Sequence, residues 1–118
     1  NSRRKDTGFS ASKRENEPMA QIIWTAPALE NLDEIAQYIA VTNELAAKQL
    51  VVSIFDKVKR LELFPESGKV PAEIPDLEYR ELIANPCRIF YKIEADAVFI
   101  LHVMRQERDL RKFILLSN

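Results

Sequence analysis

From Gln21 onward the hydrophobic positions follow first one period and then another, and the changes of period mark out the elements. Gln21 to Thr25 is short, β-branched and aromatic, the composition of a strand. Thr25-Ala26-Pro27 then sets a capping hydroxyl before a proline suited to the first helical turn. Leu29, Leu32, Ile35, Ala36 and Ile39 recur at helical spacing with Glu30, Asp33, Glu34 and Gln37 opposite, which predicts an amphipathic helix. Thr42-Asn43 interrupts it. A second, longer helical pattern follows in Ala47, Leu50, Val51, Ile54, Val58 and Leu61, leaving Lys48, Asp56, Lys57, Lys59 and Arg60 to solvent. So short a connection predicts an antiparallel helical hairpin.

Pro65 and Gly68 end the second helix, and Val70 to Leu77, with Pro71 and Pro75, reads as an extended loop. After it the period becomes two. Tyr79 to Ala84, Arg88 to Ile93 and Ala97 to Met104 are strand-like runs separated by Asn85-Pro86 and by Glu94-Ala95-Asp96. In the middle run Ile89, Tyr91 and Ile93 share one face while Arg88, Phe90 and Lys92 share the other. Short connectors predict an antiparallel meander. The expected fold is α+β: an N-terminal strand, then an antiparallel helical hairpin packed on a small antiparallel sheet with a C-terminal three-stranded meander, the first strand joining the same sheet.

With 118 residues the chain is sized for one domain, and its core needs no disulfide or metal staple. Residues 1–18 are crowded with charged and small polar residues, and Phe9 is their one large apolar side chain. That composition marks a polar, flexible leader or a non-native segment, and the functional unit is expected to be residues 19–118. Cys87 is the sole cysteine, and no apolar run approaches the roughly 20 residues that span a bilayer, so the reading is a cytoplasmic protein with no membrane partner. Seventeen basic against eighteen acidic residues give a formal charge of −1. A nucleic-acid contact would therefore need a local basic patch.

The residues themselves carry a resemblance. Trp24-Thr25-Ala26-Pro27-Ala28-Leu29-Glu30-Asn31-Leu32-Asp33-Glu34-Ile35-Ala36-Gln37-Tyr38-Ile39 resembles the opening of ParE-type toxins, a W-(T/S)-x-x-A-x-x-D-L-x-x-I-x-x-Y-I-like pattern. Leu63-Phe64-Pro65-Glu66-Ser67-Gly68-Lys69-Val70-Pro71 looks like their L-x-x-x-P-x-x-G-R-x-x-P loop, with Lys69 in place of the usual arginine. Tyr79-Arg80-Glu81-Leu82 and Arg88-Ile89-Phe90-Tyr91-Lys92-Ile93 resemble the R-E-L and Y-R-I-x-Y-x-I strands of the ParE/RelE superfamily. Val98-Phe99-Ile100-Leu101-His102-Val103 is similar to its final strand, followed in both by an arginine-rich stretch. The resemblance covers essentially all of residues 19–118 and favours the ParE-like branch.

That resemblance implies the toxin of a type II toxin–antitoxin system. A ParE-like member would inhibit DNA gyrase by trapping it on cleaved DNA, and a cognate antitoxin, ParD-like or RelB-like, would neutralise it. Operator DNA would be contacted only through the antitoxin, and no cofactor is implied. The alternative is a RelE-like ribosome-dependent mRNA endonuclease, whose chemistry needs a base on the 2′-hydroxyl, positive charge on the phosphate and an acid for the leaving oxygen. Arg80, Arg88, Arg105 and Arg108 could supply the charge, but arginine is a poor proton shuttle. The RelE-like pattern adds two lysines and a tyrosine, where this chain has Arg80, Leu82 and Phe113.

Of the other candidates, His102 lies in an alternating apolar strand and reads as a packing residue facing the sheet or tucked at its edge. Cys87 reads as a small half-buried apolar residue, and Tyr38 and Tyr91 as core residues with satisfied hydroxyls. No cluster has metal-ligand spacing. In the tail Arg105, Arg108, Arg111 and Lys112 recur at three- and four-residue spacing, one cationic stripe if helical, beside an apolar end from Phe113 to Leu116. The surfaces expected to grip target or antitoxin are thus Arg80, Arg88, Arg105, Arg108, Arg111, Lys112 and Phe113, with the helical hairpin and the sheet edge as docking surfaces for the antitoxin.

Overall fold

A computed structural model describes residues 19–72 and 78–106. Strand β1, Gln21–Trp24, leads into helix α1, Ala26–Thr42, and helix α2, Glu44–Lys59, which closes in a 3₁₀ turn, Arg60–Glu62. Strands β2, Tyr79–Ala84, β3, Cys87–Glu94, and β4, Ala97–Arg105, follow. The reading of residues 1–18 as a leader, the part of the extended loop after Ala72, and the tail residues Arg108, Arg111, Lys112 and Phe113 lie outside the described residues.

Local chemistry accounts for the helical hairpin. The Thr25 hydroxyl accepts the Ala28 N–H at 3.4 Å and donates to the Ile100 carbonyl at 2.7 Å, so the cap of α1 is also tied to the neighbouring strand. Asn43 serves both helices: its N–H satisfies the Ile39 carbonyl at 2.8 Å, and its side-chain oxygen accepts the Ala46 N–H at 3.0 Å. One residue therefore ends α1 and starts α2, which leaves the chain no room except to double back.

Helices of 17 and 16 residues run back along each other, and after the 3₁₀ turn the Ala20 N–H meets the Glu62 carbonyl at 2.9 Å beside the start of β1. The chain thus re-enters the sheet at the end where β1 began. Two reversals later β4 runs in the same direction as β1 and pairs with it in parallel, Ile22 opposite Val98 and Trp24 opposite Ile100. The sheet order is β1-β4-β3-β2, antiparallel through the meander and mixed through β1, where the sequence pointed to an antiparallel sheet throughout.

The hairpin covers one face of this sheet. Leu32, Ile35 and Ile39 of α1 and Leu50, Ile54 and Val58 of α2 meet Ile89, Tyr91, Val98, Ile100 and Val103, all buried. Two expectations are corrected. On α1 the buried position of the first turn is Ala28, not Leu29, which is 45% exposed, and Tyr38 is 52% exposed rather than a core residue. The inward face is set by Ala28, Leu32, Ile35 and Ile39, and it turns both larger side chains to the helix flanks.

Strand β4 carries an irregularity that the alternation concealed. Phe90 pairs with His102 but Tyr91 pairs with Ile100, so Leu101 is an extra residue in a β-bulge. Without it His102 would share the inward face of Val98 and Ile100. With it Val103 turns inward and His102 turns to solvent, which corrects its reading as a packing residue.

Tyr91 fastens the loop after α2 to this core. Its ring is fully buried, and its hydroxyl accepts the Gly68 N–H at 2.8 Å and donates to the Pro65 carbonyl at 2.8 Å. The Arg80 guanidinium holds the same loop by the carbonyls of Glu66 and Gly68, at 3.1 and 2.9 Å. Lys69 and Glu81 then exchange backbone hydrogen bonds of 3.0 and 2.7 Å, which shields part of the β2 edge. A Cβ at Gly68 would stand 2.5 Å from the Tyr91 hydroxyl and 2.8 Å from the Glu81 carbonyl, neither of which can retreat. Gly68→Ala is therefore expected to lower stability by about 2–3 kcal/mol in urea unfolding, and a change under about 0.5 kcal/mol would show that the loop is not pinned by this contact.

Candidate functional site

The meander places the three arginines of its strands in three different settings. Arg80 lies at the β2 edge on the helix side, with its Nη1 engaged by loop carbonyls. Arg88 lies on the opposite, outer face, where its Nε donates to Glu81 Oε1 at 2.6 Å and its guanidinium sits 4.9 Å over the Phe90 ring. Arg105 ends β4 on the helix side and stands 4.6 Å over the exposed ring of Tyr38. Nothing brings these three together into one cluster. The remaining expected contacts, Arg108, Arg111, Lys112 and Phe113, belong to the undescribed tail.

The outer face of the sheet alternates cations with aromatic rings. Beside Arg88 on Phe90, Lys92 lies 5.8 Å from the Phe99 ring and pairs with Glu94 at 3.2 Å. His102 stands across from Phe90 and Met104 across from Arg88. Sequence reasoning missed Glu81, the acid that orients Arg88: 8% exposed, it is the one charged or polar residue among the described buried set. The alternation of β2, with Leu82 and Ala84 inward, put Glu81 outward, but the diagonal reach to Arg88 needs the register, in which Glu81 opposes Phe90.

A second candidate surface lies between α1 and β4. Asn31, Glu34, Ile35, Tyr38, Val103 and Arg105 line a groove of about 360 Å³, and the Asn31 side-chain oxygen accepts the Val103 N–H at 3.1 Å. β1 reaches along β4 only to Ile100, so Asn31 stands in for the missing strand. The groove offers an aromatic ring, a cation and a carboxylate to a passing chain.

Cys87 is more deeply buried than the half-buried expectation, at 1% exposure on the helix side. Burial pushes its thiol up to about 11, against the opposing pull of Arg105, so it holds almost no thiolate at neutral pH. Among the described residues no three His, Cys, Asp or Glu side chains gather as a metal site. No described helix is long and apolar enough to cross a membrane.

Two outcomes follow from these geometries. Removing Arg88 strands a largely buried carboxylate, so Arg88→Met is expected to lower stability by about 2–3 kcal/mol in urea unfolding, with most of it regained in Arg88→Met/Glu81→Leu. If the double variant is no better than the single one, the pair does not act as a unit. For Cys87, the folded thiol holds its proton more tightly than the unfolded thiol at its ordinary 9.0, so the contribution is complete below pH 9 and lost as pH rises toward 11. Thiol labelling of the folded chain at pH 8 should be slow and should accelerate on denaturation. Fast labelling without unfolding would contradict the burial.

Comparison with known proteins gives these surfaces a family. The model for "ParE toxin of type II toxin-antitoxin system, parDE" matches residues 22–110. The chain is 30% identical over 87 residues to Toxin RelE2 of Caulobacter vibrioides, covering 74% of this chain and 92% of that one. It is 39% identical over 84 residues to toxin Y4kP of Sinorhizobium fredii, covering 71% and 85%. Among solved structures, a chain of the chromosomal ParDE TA system from P. aeruginosa superposes with a TM-score of 0.64 at 25% identity, over 74% of this chain and 96% of that one. The family match spans most of the described fold, from β1 through β4, and this chain belongs to the ParE toxin family of type II toxin–antitoxin systems.

Proposed function

We propose that residues 19–118 form a cytoplasmic growth-arresting toxin that acts by binding, holding DNA gyrase on cleaved DNA, and that a ParD-like antitoxin silences it. The observation that carries this reading is the allocation of the meander arginines. Arg80 is tied to the carbonyls of the loop after α2 and Arg88 to the carboxylate of Glu81, so both serve the scaffold. A ribonuclease would need such charges aimed at the scissile phosphate beside a base and an acid. Arg105 over Tyr38, at the groove between α1 and β4, is the described arginine best placed for an acidic segment of the antitoxin, and Arg108, Arg111, Lys112 and Phe113 follow it in the sequence. Repression of the operon would run through the antitoxin's own DNA contacts.

The similarity to a protein named Toxin RelE2 keeps one rival in view, ribosome-dependent cleavage of mRNA. A paired assay separates the two. Purified toxin added to gyrase and relaxed plasmid should stop supercoiling and accumulate linear, cleaved DNA, and added antitoxin should abolish both effects. Intact gyrase activity together with mRNA cut only when ribosomes are present would replace this reading with the rival one.

A further inference from the structure

One row of α2 is left without a role by the fold and by the toxin reading. Glu44, Lys48, Val52, Asp56 and Arg60 follow one another at four-residue spacing, and all five are exposed. The row reads acid, base, apolar, acid, base, so reversing its direction exchanges every charge for its opposite. Opposite charges four residues apart often pair along one helix. Here they do not: the described ion pairs are Arg88–Glu81 and Lys92–Glu94, and none of these four side chains is in one.

The surface beside the row is shaped for a matching row. A trough of about 490 Å³ runs between it and the next four-residue row, Gln49, Ser53 and Lys57. Val52 is 58% exposed, with Leu45 at 50% beside it, apolar area on the side of α2 away from the core. Rows at four-residue spacing interdigitate when helices cross at about 50°. An antiparallel two-fold through Val52 would lay each row in the other's trough.

We infer that the outer row of α2 is a self-complementary dimer interface, on which a second copy of this chain docks antiparallel through Val52. Glu44 then faces Arg60 of the second copy and Lys48 faces its Asp56, and the symmetry repeats both pairs. A helix of 16 residues is about 24 Å long, so the contact falls short of the roughly 800 Å² per partner of a standard interface. The dimer is accordingly weak, with a dissociation constant on the order of 10–100 µM, and it loosens with salt.

The test uses the full chain and two charge variants. Glu44→Lys/Asp56→Lys makes the row wholly basic, and Lys48→Glu/Arg60→Glu makes it wholly acidic. In sedimentation equilibrium at about 0.5 mM, well above that constant, the unaltered chain should exceed its monomer mass of 13.6 kDa. Each variant alone should remain monomeric, and an equimolar mixture should dimerise. An unaltered chain that stays monomeric overturns the inference, and so does dimerisation of either variant alone. So does a monomeric chain whose antitoxin affinity drops when the row is reversed, which would assign the face to the antitoxin. Circular dichroism checks that the variants fold. Should one not fold, the unaltered chain decides alone: about a tenfold weakening between 0.05 and 0.5 M NaCl is expected, and indifference to salt rejects the ion pairs. None of these outcomes depends on gyrase.

Discussion

A tyrosine ring taken fully out of water carries its hydroxyl inward with it, and that hydroxyl must find partners or forfeit a hydrogen bond where none can be replaced by solvent. Tyr91 meets this demand through the loop after α2, accepting from Gly68 and donating to Pro65. Much of the molecule's far side follows. The loop is held where Lys69 can pair with Glu81, and the ladder fixes the backbone of Glu81. Its carboxylate then meets Arg88 on the outer face, and Arg88 lies across Phe90. A requirement that begins in the core thus reaches the solvent side of the sheet through a series of satisfied polar groups. Gly68 is the point where this series has no slack, because any side chain there would occupy the space of the tyrosine hydroxyl.

The sequence was a good guide wherever a local rule operates. Changes of hydrophobic period located the strands to within a residue, and the helices begin after Thr25 and at the Thr42-Asn43 interruption, but α2 gives way to a 3₁₀ turn at Arg60, ahead of Pro65, and at 16 residues is not longer than the 17 of α1. Tyr91 could be read as a core residue because its neighbours alternate without interruption. Legibility ended where the answer depends on partners distant in sequence. Ile100-Leu101-His102-Val103 contains no glycine or proline to announce a bulge, so the face of His102 could be settled only by its pairing with Phe90. Ala28 and Leu29 are both apolar, and the choice between them falls to whatever α1 packs against. The parallel pairing of β1 likewise depends on partners far apart in sequence, Ile22 with Val98 and Trp24 with Ile100.

The same distinction governs the candidate site. Arginine can be recognised in a sequence, but whether it is available cannot, because the guanidinium binds backbone carbonyls, carboxylates and aromatic faces equally well. Here the strand arginines draw on them in different combinations: carbonyls for Arg80, Glu81 and the Phe90 ring for Arg88, the Tyr38 ring for Arg105. They look interchangeable as letters and are not interchangeable as chemistry. A carbonyl-bound arginine holds a loop, one paired with a buried carboxylate cannot be removed without stranding a charge, and one over an exposed ring remains at the surface beside a groove.

This division also bears on which surfaces of a small toxin are free to vary. The inner face of the sheet is covered by the helical hairpin, which leaves the outer face, the strand end at Arg105 and the solvent side of α2 at the surface. The first two are defined by sheet register, and on the outer face Glu81 and Arg88 are the end of the series that starts at Tyr91. The last is different. Its row of charges stands on a helix whose opposite side already supplies the burial that holds it, so its pattern can change freely without touching the fold. A charge pattern that turns into its own complement under reversal, on a surface where folding imposes no such requirement, calls for an explanation in what that surface meets.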